Sequence, residues 1–281
     1  MTATTFPPPT TVSPPVGVTG PAPAPARWRS AVADARAVTW RNLLAYVRLP
    51  ELAVFSSIQP IMFVLLFRYV FGNSINLADP SVAYVDYLTP GIMVQTAVFG
   101  AAATGIGLAE DLQKGLIERF RSLPMARSAV LAGRTLADTV RNVFVMVLIT
   151  VVAVMVGFRI HGGVLAFLAA VGLILLFAFA MSWMLAVVGL RSPNGEAAQA
   201  ATFPLLFPLT FASSAFVDTS FMPGWLQAFA NHQPVTATVD AARDLVLGQP
   251  AGWGVIASIA WSVGIVAVFA PLAVRLYRRA A

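Results

Sequence analysis

Six apolar runs, each about twenty residues long or longer, decide what this chain can fold into. They lie at 52–71, 87–109, 135–157, 164–190, 197–217 and 252–274. A spanning helix needs about 20 mainly apolar residues to cross a hydrocarbon layer roughly 30 Å thick. The runs therefore predict an all-α polytopic membrane protein with six transmembrane helices. The rest of the chain agrees, with 58% hydrophobic and 11% charged residues, against about 25% charged in soluble domains. Little sequence remains between the runs for a folded soluble domain. Cysteine is absent, which excludes disulfides, thiolate nucleophiles and cysteine-based metal sites.

Residues 1–26 hold eight of the twenty prolines and no charged side chain. Such a segment cannot bury a core. It is expected to be a disordered, proline-rich cytoplasmic tail, leaving residues 27–281 as one six-span domain.

Lys and Arg accumulate on the cytoplasmic side of membrane proteins. With the N-terminus inside, fifteen of the eighteen basic residues fall inside, and only Arg68, Arg159 and Arg243 lie toward the outer side. Both termini are thus expected to be cytoplasmic. Between Arg27 and Pro50, Trp28, Val32, Ala35, Val38, Asn42 and Tyr46 recur at helical spacing. Trp28, Trp40 and Tyr46 suit the headgroup zone, so an interfacial amphipathic helix is expected there.

The stretch EDLQKGLIERFRSLPMARSAVLAGR, Glu110 to Arg134, holds eight of the chain's thirty charged residues. Leu112, Leu116, Phe120 and Leu123 form an apolar helical stripe, with Lys114, Glu118 and Arg121 on another face. Glu110 with Lys114 and Glu118 with Arg121 are local ion pairs. Pro124 removes a backbone donor and turns the chain. The expected shape is a helix, a proline elbow and a second helix entering the membrane. Periodicity alone fits a partner-binding helix and a solvated loop equally well.

The chain carries no engine of its own. A P-loop needs a Gly-Lys pair, and the only lysine, Lys114, follows Gln113. His161 and His232 lie in separate predicted outer loops, with no H-E-x-x-H helix or G-x-S-x-G elbow. Ser213 and Ser214 have no histidine predicted at their depth. Ion coupling calls for ionisable groups at mid-membrane, whereas Asp138 and Arg141 are expected near the inner end of the third span. The net charge of +6 follows from membrane topology and does not indicate nucleic acid.

The connection from Asp218 to Gln249 is too long for a turn and too apolar for an ordinary loop. Phe221, Met222, Trp225, Leu226 and Phe229 suit an interfacial or re-entrant helix. Past Pro234, a stripe of Val235, Val239, Ala242 and Val246 predicts a second helix ended by Gly248. Asp240 and Arg243 are spaced for a local ion pair, and a half-inserted hairpin gating the outer mouth is the functional alternative. Pro204 and Pro208 are expected to loosen the fifth span. Ala97, Ala101, Gly105 and Ala109 make a small-residue stripe for close helix approach, either internal or between copies.

The basic lead-in, the six runs, GLIERFRSLPMARSAVLAGR and NHQPVTATVDAARDLVLG together resemble type-2 ABC exporter permeases, most closely the daunorubicin-resistance-like multidrug subgroup. The resemblance covers the chain from about Arg27 onward. It implies two permease subunits above two separate ATPase subunits, which bind the ATP and Mg while this chain holds no cofactor. It implies that the charged stretch is a coupling helix contacting the ATPase through Glu118, Arg119, Arg121, Pro124 and Arg127. It assigns Asn231, Pro234 and Arg243 to an outer re-entrant segment, which Phe221 and Trp225 would complete as a gate. The expected cargo is an amphipathic drug-like or lipid-like molecule exported across a bacterial inner membrane. Polysaccharide or lipid-linked polymer export is the alternative within the family, and a non-transporting scaffold or intramembrane enzyme the alternative outside it.

Overall fold

The computed structural model describes residues 50–72, 82–115, 127–250 and 252–280. The proline-rich tail and the predicted interfacial helix lie outside the described residues. Every regular element among them is helical: α1 (Pro50–Leu66), running on into a π-helical turn (Phe67–Phe71), then α2 (Tyr84–Gln113), α3 (Arg127–Met155) and α4 (Gly163–Arg191). After these come α5 (Gly195–Phe211), a 3-10 turn (Thr219–Phe221), α6 (Gly224–Asn231), α7 (Pro234–Leu247) and α8 (Gly252–Ala280).

Four helices, α2, α3, α4 and α8, are long and apolar enough to cross a membrane. Each extends beyond the apolar run that predicted it at one end or both, although α3 stops at Met155, two residues short of its run. The first and fifth runs take another form. Helix α1 has 17 residues and gains a π turn of five. Helix α5 also has 17 residues, about 25 Å at 1.5 Å per residue, and stops at Phe211 instead of Val217.

The reason α5 stops is local. The Ser213 hydroxyl donates to the Thr210 carbonyl at 2.6 Å and accepts the Ala215 N–H at 3.2 Å. A short hydroxyl side chain thus offers the backbone partners that a further helical turn would otherwise supply. Ser213, Ser214, Ala215 and Phe216 are buried although non-helical. At membrane depth such backbone is tolerated only inside protein or against a water-filled cavity.

Helix α2 is the centre of the bundle: 67% of its apolar window is buried, against 17% for the peripheral α8. Leu88, Ile92, Met93, Phe177, Met181, Leu185 and Ile149 belong to the main core. A second cluster of Leu108, Leu131, Trp183, Leu190 and Tyr277 fills the predicted inner end. Lipid is as apolar as these side chains, so close packing rather than water exclusion holds spanning helices together. The small-residue stripe supplies that closeness. Ala97, Ala101 and Ala109 are fully buried, and a Cβ on Gly105 would collide with the Leu185 carbonyl of α4. Gly189 of α4 makes the reciprocal approach to Gly105. Gly105 therefore serves an internal contact.

Helix α3 is polarised inside out. Leu136, Val140, Val143, Phe144, Val147 and Val151 are exposed, whereas Thr135, Asp138 and Asn142 are buried. An ionisable side chain within a span is retained when it faces the bundle and is paired. Asp138 lies in the first part of the apolar stretch of α3. It accepts a hydrogen bond from Thr104 of α2 and sits 3.9 Å from Arg141.

Candidate functional site

At the predicted inner end, α2 and α3 flank the charged stretch. Helix α2 finishes with Glu110 and Lys114 paired at 3.3 Å in the exposed position their spacing predicts. Lys114 caps the helix, and Gly115 follows with φ +65°. Glu118, Arg119, Arg121 and Pro124 lie outside the described residues, and Arg127 is the first residue of α3. One contact ties the two flanks: Arg134 of α3 pairs with Asp111 of α2. The guanidinium lies over Gly107, where any Cβ would strike it.

At the predicted outer end the centre is Arg243 on α7. It is buried, and its guanidinium carbon sits 3.6 Å from the centroid of the Tyr87 ring. Its Nε donates to the Tyr87 carbonyl at 3.1 Å, one Nη to the Ser214 carbonyl at 2.7 Å, and the other Nη to Asp240 at 2.8 Å. The planar fork of arginine suits this divergent set of acceptors better than a lysine point charge. Asp240 also accepts from the Ser214 hydroxyl at 2.6 Å. Tyr87 and Tyr84 donate their hydroxyls to the carbonyls of Ser214 and Phe216, both at 3.1 Å. Gly91 allows the same segment to lie on α2, since a Cβ there would meet the Ala215 carbonyl. The non-helical stretch after α5 is thus held from two sides, by the start of α2 and by α7.

Neighbouring contacts close this end. Asp86, buried in the first turn of α2, accepts the Arg159 N–H at 2.8 Å and lies 3.8 Å from His161. The N–H groups of His161 and Gly162 donate to the Val246 carbonyl at the end of α7. Gly248 caps α7 with φ +75°, the left-handed C-cap its sequence predicts. On that last turn, burial raises the Asp244 carboxyl pKa, the nearby Asp240 adds to the rise, and Arg243 opposes it.

The predicted outer gate separates into two parts. Phe221 and Trp225 are 59% and 76% exposed, on the 3-10 turn and α6, with Phe229 beside them. Asn231 ends α6 at the surface, and Pro234 opens α7. Arg243 faces the opposite way, into the bundle. The Asp240–Arg243 ion pair exists, but it is one of four contacts of that guanidinium. Tyr84, Tyr87 and Ser214 were not among the predicted site residues. Arg243 falls on the same helical face as Val239 and Val246, a sign of burial that the local pairing with Asp240 concealed, and no spacing identifies its distant acceptors. Ser213 and Ser214, considered above as nucleophiles, spend their hydroxyls on this scaffold.

Comparison with known proteins fits this architecture. Residues 34–247 match the ABC-2 type transporter family. The chain is 36% identical over 239 residues to the daunorubicin resistance ABC transporter permease protein DrrB1 of Streptomyces coeruleorubidus, covering 85% of this chain and 84% of that protein. It is 28% identical over 224 residues to a probable doxorubicin resistance ABC transporter permease protein DrrC of Mycobacterium tuberculosis, covering 79% and 80%. With a putative transport permease, ycf38, of Pyropia yezoensis it shares 26% identity over 225 residues, covering 77% and 75%. A family match over most of the chain, together with a relative this similar along nearly its whole length, shows that the protein belongs to the ABC-2 type transporter family.

Proposed function

We propose that this chain is the membrane permease subunit of an ATP-driven exporter that moves amphipathic drug-like or lipid-like molecules out of the cell. The observation that carries the reading is the 36% identity, over most of both chains, to a daunorubicin resistance permease. ATP and Mg belong to a separate ATPase subunit, because this sequence has no Gly-Lys pair from which to build a P-loop. The partner grips the stretch between α2 and α3 through Glu118, Arg119, Arg121, Pro124 and Arg127. The Asp111–Arg134 tie supports this, since it links the two helices that would receive the force.

In the membrane, α1 with its π turn and α5 with the buried segment after it complete six spans. Both termini and the proline-rich tail are cytoplasmic, and a second permease subunit completes the pathway in a bacterial inner membrane. The exposed Phe221, Trp225 and Phe229 sit at the outer headgroups, where aromatic side chains are favoured. The same aromatic rim supports the second reading, export of a polysaccharide or lipid-linked polymer.

The test is drug accumulation in a sensitive bacterial host. Co-expression of the chain with its ATPase lowers cellular doxorubicin, and either subunit alone leaves it unchanged. Equal accumulation in all strains contradicts the drug-export reading.

A further inference from the structure

Helix α8 lies at the edge of the bundle, and its outward face changes character along its length. Trp253, Ile256, Val263 and Val268 are exposed large apolar side chains. At helical steps along the same side, the face passes the exposed Pro271 and ends in Arg275 and Arg278, with Arg279 beside them, all exposed. From Trp253 to Arg275 the helix runs about 33 Å at 1.5 Å per residue, close to a hydrocarbon layer of roughly 30 Å. A spanning α8 therefore sets Trp253 at one membrane surface and Arg275 at the other.

The opposite side of the helix fixes this face outward. Ala273 and Tyr277, two residues to either side of Arg275, are buried in one cluster with Leu190 of α4. Arg191, the next residue after Leu190, is exposed as well, so four guanidiniums gather at this end of the bundle. None of them pairs with a carboxylate among the described residues, where the ion pairs belong to Lys114, Arg134, Arg141, His161 and Arg243. The C-terminal dipole of α8 offers about half a negative charge, too little for three arginines.

What meets a cation where the hydrocarbon ends is phosphate, which the guanidinium fork grips in bidentate fashion. Each basic side chain near a membrane surface strengthens attraction to anionic lipid about fivefold. An acidic protein face would match the charge alone; the apolar face running directly into the arginines favours a lipid.

We propose that the arginine end of α8 binds the headgroup phosphate of an anionic phospholipid, whose acyl chains lie along Val268 and Val263. Arg275 and Arg278, one helical turn apart on one side, hold the phosphate, and Arg279 and Arg191 flank it. The site requires only that α8 crosses the membrane. Its assignment to the inner leaflet rests on the cytoplasmic C-terminus proposed above, which cysteine labelling in cells tests separately.

Because the chain has no cysteine, Val268→Cys can carry a single bimane fluorophore about 10 Å along the helix from Arg275. The full-length chain is placed in phosphatidylcholine nanodiscs with trace doxyl-labelled phosphatidylglycerol or doxyl-labelled phosphatidylcholine. Half-maximal quenching is expected at about a tenfold lower mole fraction of phosphatidylglycerol. Arg275→Gln combined with Arg278→Gln removes this preference, whereas Arg275→Lys with Arg278→Lys retains most of it because the charge remains. In the wild type, raising the ionic strength from about 0.05 to about 0.5 M reduces the preference toward unity, a readout that stands if the glutamine variant does not fold. Equal quenching by the two lipids, a preference that survives in the folded glutamine variant, or one indifferent to salt each overturns the assignment. Weak quenching by both lipids, the result if a second copy of the chain or an acidic protein covers this face, overturns it too.

Discussion

Arg243 donates to two buried carbonyls from different parts of the chain, those of Tyr87 and Ser214. Its removal leaves both without that donor. The Ser214 carbonyl keeps the Tyr87 hydroxyl as a donor, but hydrogen bonds from a charged group contribute about 1.5–3 kcal/mol each, so Arg243→Ala is expected to destabilise the protein by about 2–4 kcal/mol. Arg243→Lys retains the charge but cannot reproduce the fork, and should fall between. Thermal unfolding in one detergent, followed by tryptophan fluorescence, checks the order wild type, Lys, Ala; an unshifted alanine variant contradicts the clamp. The sequence showed Arg243 and its local partner Asp240 because they sit three residues apart on one helix. Tyr87 was hidden by distance, 156 residues away, and no periodicity reports a contact of that range.

At the scale of elements, apolar runs long enough to span were readable directly. Helix α2 is longer than its run because polar residues such as Glu110 and Asp111 continue the helical turn beyond the apolar part. The end of α5 was misplaced since hydropathy continues through Ala215 and Val217, while the hydroxyl of Ser213 redirects the backbone. The small-residue stripe of α2 was legible as a packing surface, but its partner was not until Gly189 of α4 appeared opposite it. The elbow residues Glu118 to Pro124 remain an expectation from sequence. A matched pair of glycine substitutions tests the packing. Gly105→Leu forces a side chain against the Leu185 and Gly189 backbone and is expected to cost about 1–3 kcal/mol or more. Gly172, also within α4, has open space around its Cβ position, so Gly172→Ala should be neutral or stabilising by up to about 1 kcal/mol. Equal thermal shifts for the two variants contradict the α2–α4 contact.

At the scale of the molecule, α2 reaches from the Asp111–Arg134 tie to the clamp around Tyr87. Thirty residues of helix span about 45 Å, enough to connect the stretch proposed above to meet an ATPase with the segment at the opposite end of the bundle. This gives the chain a rigid link whose ends are each fixed to another element. The orientation of that link can be read by labelling, because the chain has no cysteine to interfere. In intact cells, a membrane-impermeant maleimide should label Ser81→Cys and spare Ser128→Cys; the reverse pattern contradicts the topology. The central claim is that ATP hydrolysed by another subunit drives this one through the stretch between α2 and α3. Its most direct test is doxorubicin uptake into inside-out proteoliposomes containing the purified chain and its ATPase, with wild type compared against Arg121→Glu. The account predicts ATP-dependent uptake by wild type and at least about a tenfold loss for Arg121→Glu, with ATP binding by the ATPase unchanged. Uptake independent of ATP, or undiminished by the charge reversal, would contradict it.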